Sequence, residues 1–232
     1  MIHKVLLEQL FLPDMGPYSL SNAWAARSGS GKTTLLTELV NQCCKTASFK
    51  GTRFIYVSVK GEHLWDPKKV QPTTTVDDLF KNMSENQISV FYPVDPENYE
   101  NDIDQIIDGL FITSDNNPEA NFHIIIDDAN ILDGFDNRGT PSTQMKKLAV
   151  AGRSKGIRGT FILHRIGNLP RLMNGNLANL VLLNVSNLDA DYSKKIFGLD
   201  FEPLVEELGD FKWVVVDLVR DNIMKFNPIN IS

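Results

Sequence analysis

The chain has 232 residues, 42% of them hydrophobic and 22% charged, which are globular values for a protein large enough to bury a substantial core. A net charge of −6 gives a whole-molecule field that repels polyanions; it excludes a monomer binding nucleic acid over its whole surface, but not a ring with basic residues confined to a channel. No run approaches the length of a membrane span, and the adjacent Cys43 and Cys44 neither bridge readily nor form a metal pattern, so a soluble protein of a reducing, intracellular compartment is expected.

In chain order, residues 2–12 mix apolar and polar types and read as a strand or an arm packing on a neighbour. Glu8 within the apolar stretch and the lack of a small-residue cleavage site argue against a signal peptide. A short β-prone run at 19–25 leads into the small-residue stretch Ala26-Arg27-Ser28-Gly29-Ser30-Gly31-Lys32-Thr33-Thr34. A helix is predicted over 32–45, because Leu36, Leu39, Val40 and Cys43 share one face. Strongly β-prone residues 53–59 predict a central strand, followed by Lys60-Gly61-Glu62-His63 and a loop through Thr75. Helix 76–83, strand 88–91 and helix 101–111 come next, then a polar loop over 114–121.

Apolar residues 122–126 predict a buried strand ending in Asp127-Asp128, and a polar loop spans 132–141. A helix over 142–153, N-capped by Ser142, leads to a strand at 159–163. Residues 170–180 read as helix or loop and 181–185 as a strand. Two short helices, 190–197 and 201–208, precede a hairpin-like strand pair at 212–217 and 223–226. Strands alternating with helices imply an α/β fold, a mostly parallel central sheet with helices on both faces and a C-terminal β-hairpin. One domain is expected, with an N-terminal arm (1–18), an α/β core (19–210) and the strand pair (211–232).

Chemistry concentrates at the strand ends. Backbone N–H groups of residues 26–34 can cradle a chain of phosphates at a helix N-terminus, with Lys32 reaching the outer phosphates and the Thr33 hydroxyl completing a Mg²⁺ shell. Asp127 is expected to hold Mg²⁺ through water, and Asp128 to polarise the attacking water. His164, after strand 159–163, is placed to sense the terminal phosphate by hydrogen bonding. Arg153 could serve a neighbouring subunit's site as an arginine finger or merely answer a helix dipole; Arg165 and Arg171 are rivals. Glu62 could orient the lytic water or sit in a solvated turn. Arg138, Lys146 and Lys147 are the expected contacts to a nucleic-acid backbone.

These stretches together resemble the FtsK/HerA superfamily of ring-forming P-loop ATPases: residues 26–34, Val57-Ser58-Val59-Lys60-Gly61-Glu62, residues 124–128, Gly152-Arg153-Ser154-Lys155-Gly156-Ile157, and Leu163-His164-Arg165 with Pro170. The resemblance spans about residues 19–217. Its compact members are the genome-packaging ATPases of viruses with double-jelly-roll capsids. It implies a P-loop NTPase core of the RecA-like (ASCE) type, ATP and Mg²⁺ as cofactors, and a hexameric or pentameric homo-oligomeric ring. It further implies double-stranded DNA and a capsid vertex protein as partners, in the host cytoplasm or virion. Ala26 departs from the family's Gly, Asp128 from its Glu and His164 from its Gln. The alternatives are a cellular or plasmid DNA-pumping ATPase, a small-molecule P-loop kinase, and a nucleotide-dependent assembly factor.

Overall fold

The structure, a computed structural model, describes residues 4–12, 21–61, 65–66, 69–95, 98–132, 134–135, 140–200, 203 and 212–227. Its strands are β1 (Ser21–Ala26), β2 (Thr52–Ser58), β3 (Pro72–Thr73), β4 (Ile88–Phe91), β5 (Asn121–Asp127), β6 (Ile157–Leu163), β7 (Leu177–Leu183), β8 (Trp213–Asp217) and β9 (Asn222–Phe226). They form one sheet in the order β3-β4-β2-β5-β6-β1-β7-β8-β9. The seven strands from β3 to β7 in that order are parallel, and β8 and β9 extend the sheet as an antiparallel hairpin.

Side chains of a strand alternate between faces, so each parallel strand feeds two cores. Ala23, Ala25, Ile55, Val57, Ile124, Ile126, Phe161 and Leu163 meet helices α3 (Val76–Glu85), α4 (Tyr99–Asn116), α5 (Thr143–Ala151), α6 (Arg171–Asn174) and α7 (Asn187–Phe197). Trp24, Ala26, Phe54, Tyr56, Ile125 and Ile162 meet α1 (Lys4–Phe11) and α2 (Lys32–Cys44) on the other face. Burial on both sides explains why the strands read as near-continuous apolar runs.

The N-terminal segment departs from expectation. Instead of a strand or an arm reaching a neighbour, Lys4–Phe11 forms helix α1, which buries Leu6, Leu7, Leu10 and Phe11 against this chain's own sheet. Glu8 and Gln9 obscured its helical spacing. Gln9 is itself buried and donates to Asn179 Oδ1 at 2.6 Å. The last carbonyls of α1 lack intrahelical donors, and the N-terminal ends of the strands supply them. Asn22 Nδ2 donates to Leu10 O (2.5 Å), His123 Nδ1 to Phe11 O (2.9 Å) and Arg158 Nη1 to Leu12 O (3.2 Å). Two smaller differences concern strands. The expected loop through Thr75 contains β3, and β7 begins at Leu177, four residues earlier than expected, because Asn179 broke the apolar run. Helix α4 continues to Asn116 into what read as polar loop. The expected helix at 201–208 lies outside the described residues apart from residue 203.

Candidate nucleotide-binding site

The C-terminal ends of β1, β5 and β6 converge on a cleft of about 350 Å³ lined by Ser28, Gly29, Gly31, Lys32, Thr33, Thr34, Lys60, Asp127, Asp128 and His164. β6 lies between β1 and β5, which sets the phosphate loop and the acidic pair apart on either side of His164. Parallel strands make this convergence possible, since all three end on the same edge.

After β1 the chain turns through Gly29 (φ 78°) and Gly31 (φ 80°), left-handed conformations that glycine adopts without penalty. Helix α2 then starts at Lys32 with no side-chain cap and no acidic residue in its first turn. Its first N–H groups therefore face the loop with no intrahelical partner. Lys32 is buried, and Ser30 Oγ is buried with no hydrogen-bond partner among the described residues. A largely buried lysine lining the cleft, an orphaned hydroxyl and helix amides without intrahelical partners fit the phosphates of a nucleotide. Ala26, the departure from the family's Gly, ends β1 with ordinary backbone angles and sits fully buried against the α2 side. The special backbone positions fall at Gly29 and Gly31, so the methyl imposes no strain.

Asp127 is held by two donors: Tyr56 Oη at 2.5 Å from Oδ2 and the Asp128 N–H at 2.9 Å from Oδ1. Burial raises its proton affinity above the usual carboxylate range, and the Tyr56 hydrogen bond and Lys32 oppose that rise. Thr33 and Asp127 line the same cleft and fit the hydroxyl-plus-carboxylate donor set of a Mg²⁺ site completed by water and phosphate.

Asp128 adopts a left-handed conformation (φ 52°, ψ 38°), which aspartate tolerates better than most residues. Both of its carboxylate oxygens are engaged. Oδ2 lies 2.8 Å from Lys60 Nζ, and Oδ1 lies 3.0 Å from His164 Nε2. Burial and the nearby Lys32 lower the His164 pKa despite Asp128, so a neutral ring donating from Nε2 is the state that fits. The segment after His164 is pinned in turn. Ile166 N donates to Asp189 Oδ1 (3.1 Å), while the same carboxylate caps α7 through Ser186.

The structure thus brings together Lys32, Thr33, Asp127, Asp128 and His164. Arg27, Ser28 and Gly29 form the exposed rim of the loop. Arg153 is not brought to this cleft. It lies in the 3-10 turn Gly152–Lys155 ahead of β6, at the opposite end of the sheet, a strand length of about 20 Å away. It is exposed, with no partner among the described residues. Arg165 follows His164 at the nucleotide end, and Arg171 opens α6; both are exposed. Lys147 pairs with Asp108 (3.1 Å) and lies over the Phe111 ring, so its charge serves the α4–α5 contact. Glu62 and Arg138 lie outside the described residues. Sequence reasoning missed Tyr56, Lys60 and Asp189. Tyr56 alone carried a signal: a tyrosine inside an otherwise apolar strand needs a partner for its hydroxyl.

A family model described as RNA helicase matches residues 24–110, well under half of the chain. No protein of curated function matches it by sequence. Among solved structures, the fold is similar to the genome-packaging NTPase B204 of Sulfolobus turreted icosahedral virus 2 with ATP-gammaS. That match has a TM-score of 0.73 and 16% identity, and it covers 90% of this chain and 98% of that one. B204, the DNA-packaging ATPase of Sulfolobus turreted icosahedral virus, superposes with a TM-score of 0.71 at 16% identity over 91% of this chain and 98% of its own. The cytoplasmic domain of the Thermomonospora curvata type VII secretion ATPase EccC gives 0.65 at 16% identity, covering 90% of this chain and 25% of that chain. The chain therefore has the P-loop NTPase fold of the B204 and EccC type, as its sequence led us to expect. Among the described residues no helix is long and apolar enough to cross a membrane.

Proposed function

We propose that the protein hydrolyses ATP and uses the energy to move double-stranded DNA, in packaging a viral genome into a preformed capsid. The observation that carries the reading is the gathering of Lys32, Thr33, Asp127, Asp128 and His164 around one cleft, on a fold whose full-length likenesses are packaging NTPases. The loop amides and Lys32 bind the phosphates. Asp128 accepts a proton from water as the water oxygen bonds to the γ-phosphorus; the β–γ bridge breaks, and its electron pair leaves with the diphosphate. His164 gives its one N–H, on Nε2, to Asp128 Oδ1, and senses the terminal phosphate only if that hydrogen bond passes to a phosphate oxygen. Thr33 and, through water, Asp127 would hold Mg²⁺, which would supply charge neutralisation to the phosphates.

Arg153 can assist only another subunit's nucleotide, which accords with a homo-oligomeric ring of five or six copies in the host cytoplasm or at a capsid vertex. The test is ATPase rate with and without double-stranded DNA, measured alongside native mass. Stimulation by DNA together with a ring-sized mass is expected. A monomer indifferent to DNA that phosphorylates a small molecule would replace the motor with a kinase.

A further inference from the structure

The carboxylate assigned to activate water already has a partner on each oxygen in this conformation. Asp128 is only 9% exposed, and both of its oxygens are occupied, one by Lys60 and one by His164. The two partners differ in what they can do. His164 is a rigid ring at the end of β6. Lys60 is an ammonium on a four-carbon stem, 48% exposed, just past the end of β2. The next residue, Gly61 (φ 69°), turns the chain and bonds back to Ser58 O at 3.1 Å. Lys60 therefore sits on a fixed base with a long, half-exposed side chain that lines the same cleft as Lys32 and the phosphate loop.

A triphosphate seated on the Lys32 loop brings three terminal oxygens, more charge-dense than a carboxylate, into reach of the same donors. A diphosphate ends one group short. We propose that Lys60 is a phosphate-sensing residue: it holds Asp128 Oδ2 when the site is empty or carries diphosphate, and transfers to the terminal phosphate when triphosphate binds. The transfer frees Oδ2 to accept the proton of water only when there is a bond to cleave. It also favours triphosphate over diphosphate at a site whose loop contacts both alike. The inference rests on the nucleotide reading above and deepens it.

Calorimetric binding of AMPPCP and ADP, with Mg²⁺, to the full chain separates transfer from a fixed ion pair. In an Asp128→Asn background the Asp128 carboxylate is gone, so no effect of Lys60 on the nucleotide can run through it. If Lys60 reaches the phosphate itself, adding Lys60→Met there weakens AMPPCP by about tenfold relative to ADP, a loss typical of one charge-assisted hydrogen bond. Lys60→Arg restores most of it. If Lys60 acts only through Asp128, the AMPPCP-to-ADP ratio stays unchanged in that background, and the proposal is overturned. Because the Lys60 side chain is half exposed, its loss does not threaten folding. Failure of the unaltered chain to bind either nucleotide overturns the nucleotide reading and this inference together, an outcome distinct from an unchanged ratio.

Discussion

His123 makes the protein acid-sensitive in a way that can be isolated. The ring is fully buried at the N-terminal end of β5, with Nδ1 2.9 Å from Phe11 O and Nε2 2.8 Å from Thr160 Oγ1. A carbonyl can only accept, so Nδ1 carries the proton, and Nε2 accepts from the threonine hydroxyl. Burial, reinforced by the Arg158 charge, pushes the pKa down to about 3 from its ordinary 6.5. Between those values the unfolded chain binds a proton that the folded chain does not. Stability contributed above pH 6.5 is thus lost as pH falls towards 3. At pH 5 the proton bound only by the unfolded chain costs about 2 kcal/mol relative to pH 7.5, at about 1.4 kcal/mol per pH unit below 6.5. Urea unfolding of the unaltered protein and of His123→Asn at both pH values measures it. Other titrating groups cancel between the two proteins, and the asparagine can still donate to Phe11 O. The variant is expected to start less stable at pH 7.5, from lost packing and the Thr160 contact, and to close the gap by about 2 kcal/mol at pH 5. Parallel pH dependence of the two proteins would refute the buried neutral histidine.

Four further outcomes test the site and its frame. Lys32→Ala should abolish nucleotide hydrolysis with the thermal melt retained; surviving turnover would remove the loop from the site. Asp128→Asn should lower kcat by at least about 100-fold and leave triphosphate bound, as expected for loss of a general base; unchanged kcat in a steady-state assay would take Asp128 out of that role. Gly156→Ala should cost about 2 kcal/mol in urea unfolding, because φ is 64° and an added Cβ would stand 2.9 Å from Ala120 O. A neutral result would mean that the turn feeding β6 relaxes freely. In mixtures, Arg153→Ala and Lys32→Ala subunits should partly restore activity if Arg153 works across a subunit boundary; no recovery at any ratio would leave it a helix-end charge.

What could be read in the sequence divides along a physical line. The phosphate loop, the acidic strand end and His164 were legible because each requirement is local: glycines where φ must be positive, an apolar run that must end in acid. The parallel sheet followed from the alternation of elements, whereas its order, with β6 between β1 and β5, came only with the structure. Helix α1 was not legible, because the Gln9 side chain and the helix's last carbonyls find their partners 12 to 170 residues away. Asn22, His123, Arg158 and Asn179 look like accidents inside apolar strands until α1 covers them. Arg158 is the extreme case: it is fully buried, lowered to about 9 by that burial, and bonded to Leu12 O and Asn22 Oδ1. Here it fixes the end of α1 to the start of β6, the strand whose far end carries His164. Lys60 was hidden for the complementary reason. A lysine after a strand is ordinarily a solvated charge, and only the arrival of β5 beside β2 brings Asp128 within 2.8 Å of it. The same pairing that aligns Ser58 with Asp127 sets the next residues of both strands at the cleft. The control of Asp128 is therefore a property of sheet register rather than of either motif.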